Sequence, residues 1–383
     1  MMQSDSIRAK QDAPELIGNE VCPQPPQAEA IAPPLKRNAE AELLRFIFAV
    51  MVFLSHMNVL PNGALAVDFF FLLTGYLMVA SIQKARLRNT HPKSTVAFIF
   101  HKIKSFYPEL LVATVISIVV YFIACPITFD LIFQAIKTAI NGIVPILKMT
   151  GIGISVSDFN GATWYLSSML LGLILVYPLF VKSISHSLLF IFGIALCGFL
   201  CVYHGQLNGV YTFIGITYEG NIRAVGELLL GGASYHAIRA FSETKITVLA
   251  SVLVALIKYA ALGLIIVVAC MDDTRYHSIA LCSALVLLIL VFSRKGIDKN
   301  IYANKLFIFL GSFSLPLYIS HRAITACQHR LIPFENSTPW LNTIICFVYS
   351  AFAALIVLVL AKLIRKKSHL IKNALICQHR ASV

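Results

Sequence analysis

The sequence predicts an all-α fold, a polytopic membrane bundle of about ten transmembrane helices. Three observations predict it. Of the 383 residues, 58% are hydrophobic and only 13% charged, where an average soluble domain is roughly a quarter charged. The apolar residues are gathered into long runs, each near the ~20 residues that cross a bilayer core. None of these runs alternates as a membrane strand does, and in lipid only helices and closed barrels satisfy their own backbone polar groups.

Ten runs qualify as spans: 43–60, 63–83, 106–125, 162–181, 187–203, 222–241, 246–270, 277–293, 306–326 and 339–361. The sixth carries Arg223, Glu227 and His236, and the fifth is short. Residues 129–147 are half apolar but hold Lys137, Asn141 and Pro145, which predicts an interfacial or re-entrant helix. Residues 1–41 are rich in proline (Pro14, Pro23, Pro25, Pro26, Pro33, Pro34) and lack the basic-then-apolar order of a signal peptide. They read as a flexible cytoplasmic tail. The expected division is therefore a tail over 1–41, a transmembrane domain over 42–365 and a basic cytoplasmic tail over 366–383. No appended extracytoplasmic domain is expected after the last span.

Charge sets the orientation. With a cytoplasmic N-terminus, the inner connections carry Lys84, Arg86, Arg88, Lys93, Lys102, Lys104, Lys182, Arg239, Lys245, Arg294, Lys295, Lys299 and Lys305. The outer ones carry only Lys137, Lys148, Arg275 and Arg330. The positive-inside rule then places both termini in the cytoplasm, which an even number of spans requires. The basic run Lys362, Arg365, Lys366, Lys367 and Lys372 reads as an anchor on anionic lipid. The net charge of +13 thus flanks spans, with no recognition module for nucleic acid, which is not an expected partner. The nine cysteines follow no metal spacing, so neither a disulfide nor a metal site is expected.

Ionisable groups inside spans mark functional sites or paired structural charges. Arg45 and His56 lie in the first span, eleven positions apart. That is about three helical turns and ~16 Å of rise, so both point roughly the same way. The chain turns at Pro61, Asn62 and Gly63 and re-enters through Asp68. His56 and Asp68 should lie at one depth on adjacent helices, where a hydrogen bond would orient the imidazole and raise its basicity; a buried structural bond is the other reading. Lys102 and Lys104, at the basic entry to the third span, could join Arg45 in holding a phosphorylated ligand, or act as an ordinary positive-inside stop. Trp164 and Tyr165 open the fourth span as an interfacial anchor or a sugar-stacking surface. In the ninth span Pro316 should kink the helix, and His321 and Arg322 fall in its outer half, in a structural role or facing a cavity.

Together these residues resemble the acyltransferase family 3 of membrane-bound O-acyltransferases. The carriers are Arg45 with His56 eleven positions on, and the run Ala66-Val67-Asp68-Phe69-Phe70-Phe71-Leu72-Leu73-Thr74-Gly75-Tyr76. A basic stretch from Lys102 ends in Tyr107-Pro108, Trp164 and Leu166 follow a long outer loop, and Ser314, Tyr318 and His321 come late in the chain. The sequence departs from the pattern at Ala66 (usually Gly), Ser105 (commonly Arg) and Met169 (often Glu).

The resemblance implies transfer of an acyl group, usually acetyl, from acetyl-CoA to a hydroxyl of a bacterial surface or cell-envelope carbohydrate, at the inner membrane. It implies His56 as the catalytic histidine, Arg45 as its partner on the CoA side and Asp68 as a site-shaping carboxylate. On this reading Arg45, Lys102 and Lys104 meet the CoA phosphates. His56 serves as general base steadied by Asp68, or as a transient acyl carrier. Trp164, Tyr165, Tyr318 and His321 line the acceptor's entry. The expected partners are acyl-CoA, a glycan acceptor and membrane lipid. The alternatives are a secondary transporter or lipid-linked-sugar flippase, against which no inverted repeat is visible, and an inactive relative used as a scaffold.

Overall fold

The computed structural model describes residues 37–152, 158–205, 207, 209–296, 304–332 and 338–381, the side chains of 369 and 371–381 excepted. Most of the expected N-terminal tail lies outside the described residues. The first helix, α1 (Ala39–His56), starts where Asn38 caps it, its side chain accepting from the Glu40 and Ala41 amides. Glu40 and Glu42 occupy its first turn, where the helix dipole favours negative charge. A 3₁₀ turn at Gly63–Leu65 leads into α2 (Ala66–Leu87). Next come α3 (Thr95–Ala124), capped by Ser94, and α4 (Phe129–Ile143), capped by Thr128. α5 (Trp164–Val181) and α6 (His186–His204) follow, the latter closed by Gly205 at φ +69°. Strands β1 (Phe213–Ile214) and β2 (Thr217–Tyr218) make a small hairpin, Phe213 opposite Tyr218. The chain continues through α7 (Glu219–Ala233), α8 (Tyr235–Glu243), α9 (Val248–Cys270), α10 (His277–Ser293), α11 (Lys305–Ala326), α12 (Gln328–Leu331) and α13 (Pro339–Ala381).

Eight helical segments are long and apolar enough to cross a bilayer, and the protein is an integral membrane protein. Two of the ten expected spans depart from that description. In α1, Glu40, Glu42 and Arg45 crowd the first turns. The expected span 222–241 is two helices, α7 and α8, joined at Ser234. Fifteen residues rise only ~22 Å, short of a hydrocarbon core. Almost all of α7 is buried among its neighbours, which is how it keeps Arg223 and Glu227 out of lipid. At its other end the third expected span extends, because α3 starts at Thr95 and so contains the whole basic stretch and Pro108. Residues 366–381, expected as a tail, continue α13 as helix.

The stretch 129–147, expected to be interfacial or re-entrant, is a helix that doubles back on α3 followed by a short return. Helix α4 leaves the end of α3 at Thr128 and runs back along it until the Tyr107 hydroxyl donates to the Ile143 carbonyl at 3.1 Å. The chain then returns as irregular backbone against α5: Ser167 Oγ donates to the Ile146 carbonyl (2.8 Å) and accepts from the Met149 amide (3.0 Å). Irregular backbone is tolerated in a membrane only where protein satisfies it, as here.

Two tight contacts set the bundle's geometry. A Cβ on Gly75 would collide with the backbone of Leu228 and Gly232, and one on Gly231 with that of Leu72. Helices α2 and α7 therefore touch backbone to backbone, which only small residues allow. Helix α1 turns its face to α11 instead, where Gly311 makes room for Glu42, and an ion pair of 2.6 Å between Lys258 and Glu40 ties α1 to α9.

Candidate active site

Two cavities lie along the face that α1 turns to its neighbours. The smaller, about 280 Å³, is lined by Arg45, Phe70, Thr74, Lys102, Ser105, Tyr165, Met169, Ser314 and Tyr318. The larger, about 760 Å³, is lined by His56, Tyr121, Asp158, Phe159, Gly161, Trp164, Tyr211, Tyr218, Tyr318 and Arg322. The buried ring of Tyr318 lines both, in edge contact with Phe70 (5.9 Å between centroids) and Tyr165 (5.6 Å). Arg45 and His56 thus serve one cavity each, on one face of one helix, as three turns of separation require.

The smaller cavity brings Arg45 and Lys102 together and leaves Lys104 out. Residues two apart on a helix point about 200° away from each other. Lys104 accordingly lines a separate apolar groove with Tyr107, Ile143 and Pro145. Arg45 is paired with Glu42 (2.9 Å), which also takes Arg37. Ser105, where the resembling family commonly has Arg, turns its hydroxyl back to the Lys102 carbonyl (2.6 Å), so Lys102 is the cation that α3 supplies here. Tyr165, expected on the acceptor side, faces this cavity, while its neighbour Trp164 faces the larger one.

The expected hydrogen bond between His56 and Asp68 is replaced by other partners. Asp68 Oδ1 accepts from Arg223 through both Nη2 and Nε (the latter at 3.0 Å), and Oδ2 meets His277 Nε2 at 3.1 Å. Arg223 also donates to Glu227 Oε1 at 3.0 Å. The reason lies in the backbone contact at Gly75 and Gly231, which presses the Asp68 face of α2 onto α7 and away from α1. Asp68 still bears on the site: the Arg223 guanidinium it holds lies 5.9 Å over the Trp164 ring, a wall of the larger cavity.

His56, the last residue of α1, stacks instead on His321, ring centroids 5.2 Å apart and planes 29° apart. His321 lines neither cavity. Its ring is buried under His56, with Nδ1 3.2 Å from the Leu317 carbonyl one turn back. A carbonyl only accepts, so Nδ1 carries hydrogen and, in the neutral ring, Nε2 keeps its lone pair. The residue here that lines the larger cavity is its neighbour, Arg322.

Sequence reasoning missed a buried knot beside the larger cavity. Lys148 Nζ donates to Asp158 Oδ1 (2.7 Å), the Asn160 carbonyl (2.9 Å) and Thr163 Oγ1 (3.2 Å), and Asn141 donates to Asp158 Oδ2 (2.7 Å). Asn160 is fixed to α11 through the Ile319 carbonyl at 2.8 Å. Most of these partners come from irregular backbone whose pairing no periodicity announces; Asn141 and Lys148 in an otherwise apolar stretch were the available signals. Nearby, burial pushes the Tyr211 phenol above its ordinary value, Asp158 adding to the shift and Arg322 opposing it. Its hydroxyl is therefore a neutral donor, here to the Gly161 carbonyl at 3.3 Å.

Comparison with known families gives a match to a family model described as an acyltransferase domain, over residues 38–360. No curated protein and no solved structure matches the chain.

Proposed function

Because this chain belongs to that acyltransferase family and is an integral membrane protein, we propose that it moves an acetyl group from cytoplasmic acetyl-CoA to a hydroxyl of a cell-envelope carbohydrate. The observation that carries this reading is the pair of cavities meeting at Tyr318, one holding Arg45 and Lys102 and the other His56 among aromatic walls. Acyl-CoA is made in the cytoplasm, and the basic connections at the Arg45 end support a cytoplasmic position for it. Arg45 and Lys102 meet its phosphates, Arg through a planar fork of donors. Its pantetheine arm then passes Tyr318 toward His56, a rise of ~16 Å along α1.

In the larger cavity the acceptor sugar stacks on aromatic faces such as Trp164 and presents its hydroxyl to His56. His56 takes the hydroxyl proton as the oxygen bonds to the acyl carbon and the carbon–sulfur bond breaks; the proton then leaves with the CoA thiolate. Such general-base help is worth ~10²–10⁴-fold. In the variant with a transient acyl-His56, the same ring carries the acyl group after CoA departs. Either way the Asp68 carboxylate is occupied elsewhere, and the ring against His56 is that of His321.

The test is transfer of label from radiolabelled acetyl-CoA to glycans by the reconstituted protein. His56→Ala should lose at least ~10² in rate, and Arg45→Ala should raise KM for acetyl-CoA. Equal labelling by wild type and His56→Ala would remove the catalytic assignment. Movement of glycan across the bilayer without labelling would favour a transporter.

A further inference from the structure

The larger cavity has an unbalanced charge. Among the described residues its one carboxylate, Asp158, is bonded at both oxygens, by Lys148 at 2.7 Å and Asn141 at 2.7 Å, and also accepts from the Asn160 amide at 2.9 Å. Lys148 cancels the Asp158 charge within a pair whose side chains are each 1% exposed. Arg322 lines the same cavity, half-buried, and among the described residues no carboxylate lies within ion-pair distance of its guanidinium. Its stem is seated on Gly161: a Cβ there would fall 3.3 Å from Nε and 3.4 Å from Cγ. A half-buried cation without a counter-charge is left to water or to a ligand, and a guanidinium fork matches an anion that offers two oxygens. The knot at Lys148 removes the one local group that would otherwise satisfy it.

The remaining walls are aromatic, and the volume of about 760 Å³ falls in the range that encloses small organic ligands. We propose that the acceptor is an anionic saccharide, with a carboxylate or phosphate group held by Arg322 while a nearby hydroxyl faces His56. The position of the hydroxyl rests on the acyl-transfer reading; the anion at Arg322 stands without it. Both anion types share the two-oxygen chemistry that Arg322 recognises, and they differ in the probe that binds.

The experiment uses the full chain in nanodiscs of zwitterionic lipid without acetyl-CoA. Trp340→Phe leaves Trp164, in the cavity wall, as the sole tryptophan. Its fluorescence is titrated with a uronic-acid oligosaccharide, the same oligosaccharide with its carboxyls reduced, and a neutral oligosaccharide bearing one phosphate. At least one charged probe should bind about tenfold or more tightly than the reduced one. Which charged probe binds identifies the anion. Arg322→Gln should bring that ratio to about one, and Arg322→Lys, which keeps charge but loses the fork, should fall between. Equal affinity for charged and reduced probes, no binding of any probe, or a preference that survives in both variants would overturn the inference. Label transfer, measured after radiolabelled acetyl-CoA is added to the same samples, separates the two readings. Preference without transfer leaves the anion site and removes the enzyme reading; transfer to charged and reduced acceptors with equal kcat/KM does the reverse.

Discussion

Asp68 and His56 stand twelve residues apart in a hairpin, yet they answer to different demands. Asp68 is a buried charge whose oxygens are satisfied by Arg223 and His277. Removing one partner of such a pair costs ~3–5 kcal/mol because the other charge is left uncompensated. Asp68→Asn should therefore lower the thermal unfolding temperature in detergent sharply, whereas His56→Ala, whose ring is stacked but makes no ion pair with Asp68, should unfold close to wild type while losing transfer. An Asp68→Asn protein with the wild-type melting temperature would show that the cluster on α7 and α10 is not what the carboxylate serves. Arg45 and His56 were legible as a pair because eleven positions close three turns. The partner of Asp68 was not, since adjacency in a hairpin says nothing about which face each helix turns. Arg322 was visible only as the neighbour of a histidine, and its lack of a counter-charge among the described residues depends on where Asp158 is bound, which only the folded chain decides.

At the scale of elements, the run of helices was readable from apolar length, and the departures came where polar groups entered. Helix α7 carries three buried ionisable side chains, Glu219, Arg223 and Glu227, so it survives only inside the bundle. Its seat against α2 depends on Gly75 and Gly231. Gly75→Leu should prevent the close approach and cut the yield of folded protein, read by size-exclusion chromatography; a normal elution profile would mean the two helices can part without harm. Helix α3 gives a cleaner comparison because one periodicity places its two lysines oppositely. Lys102→Gln should raise KM for acetyl-CoA several-fold, and Lys104→Gln should leave it near wild type. Equal effects would show that the helix rotates on binding or that the nucleotide lies outside the Arg45 cavity.

Across the whole molecule, two chambers reach toward opposite halves of a bundle that sits in a membrane, and a single buried phenol ring, flanked by Phe70 and Tyr165, is common to both. A passage long enough for a pantetheine arm is also long enough for a file of water. A cell that lives on its proton gradient must keep such a passage electrically sealed between turnovers, and Tyr318, the residue that lines both chambers, is where we expect the seal to lie. Liposomes carrying Tyr318→Gly should dissipate an imposed pH difference faster than those carrying wild type or Tyr318→Phe. The acyl transfer proposed for this protein would then be tied to the energetics of its membrane through one aromatic side chain.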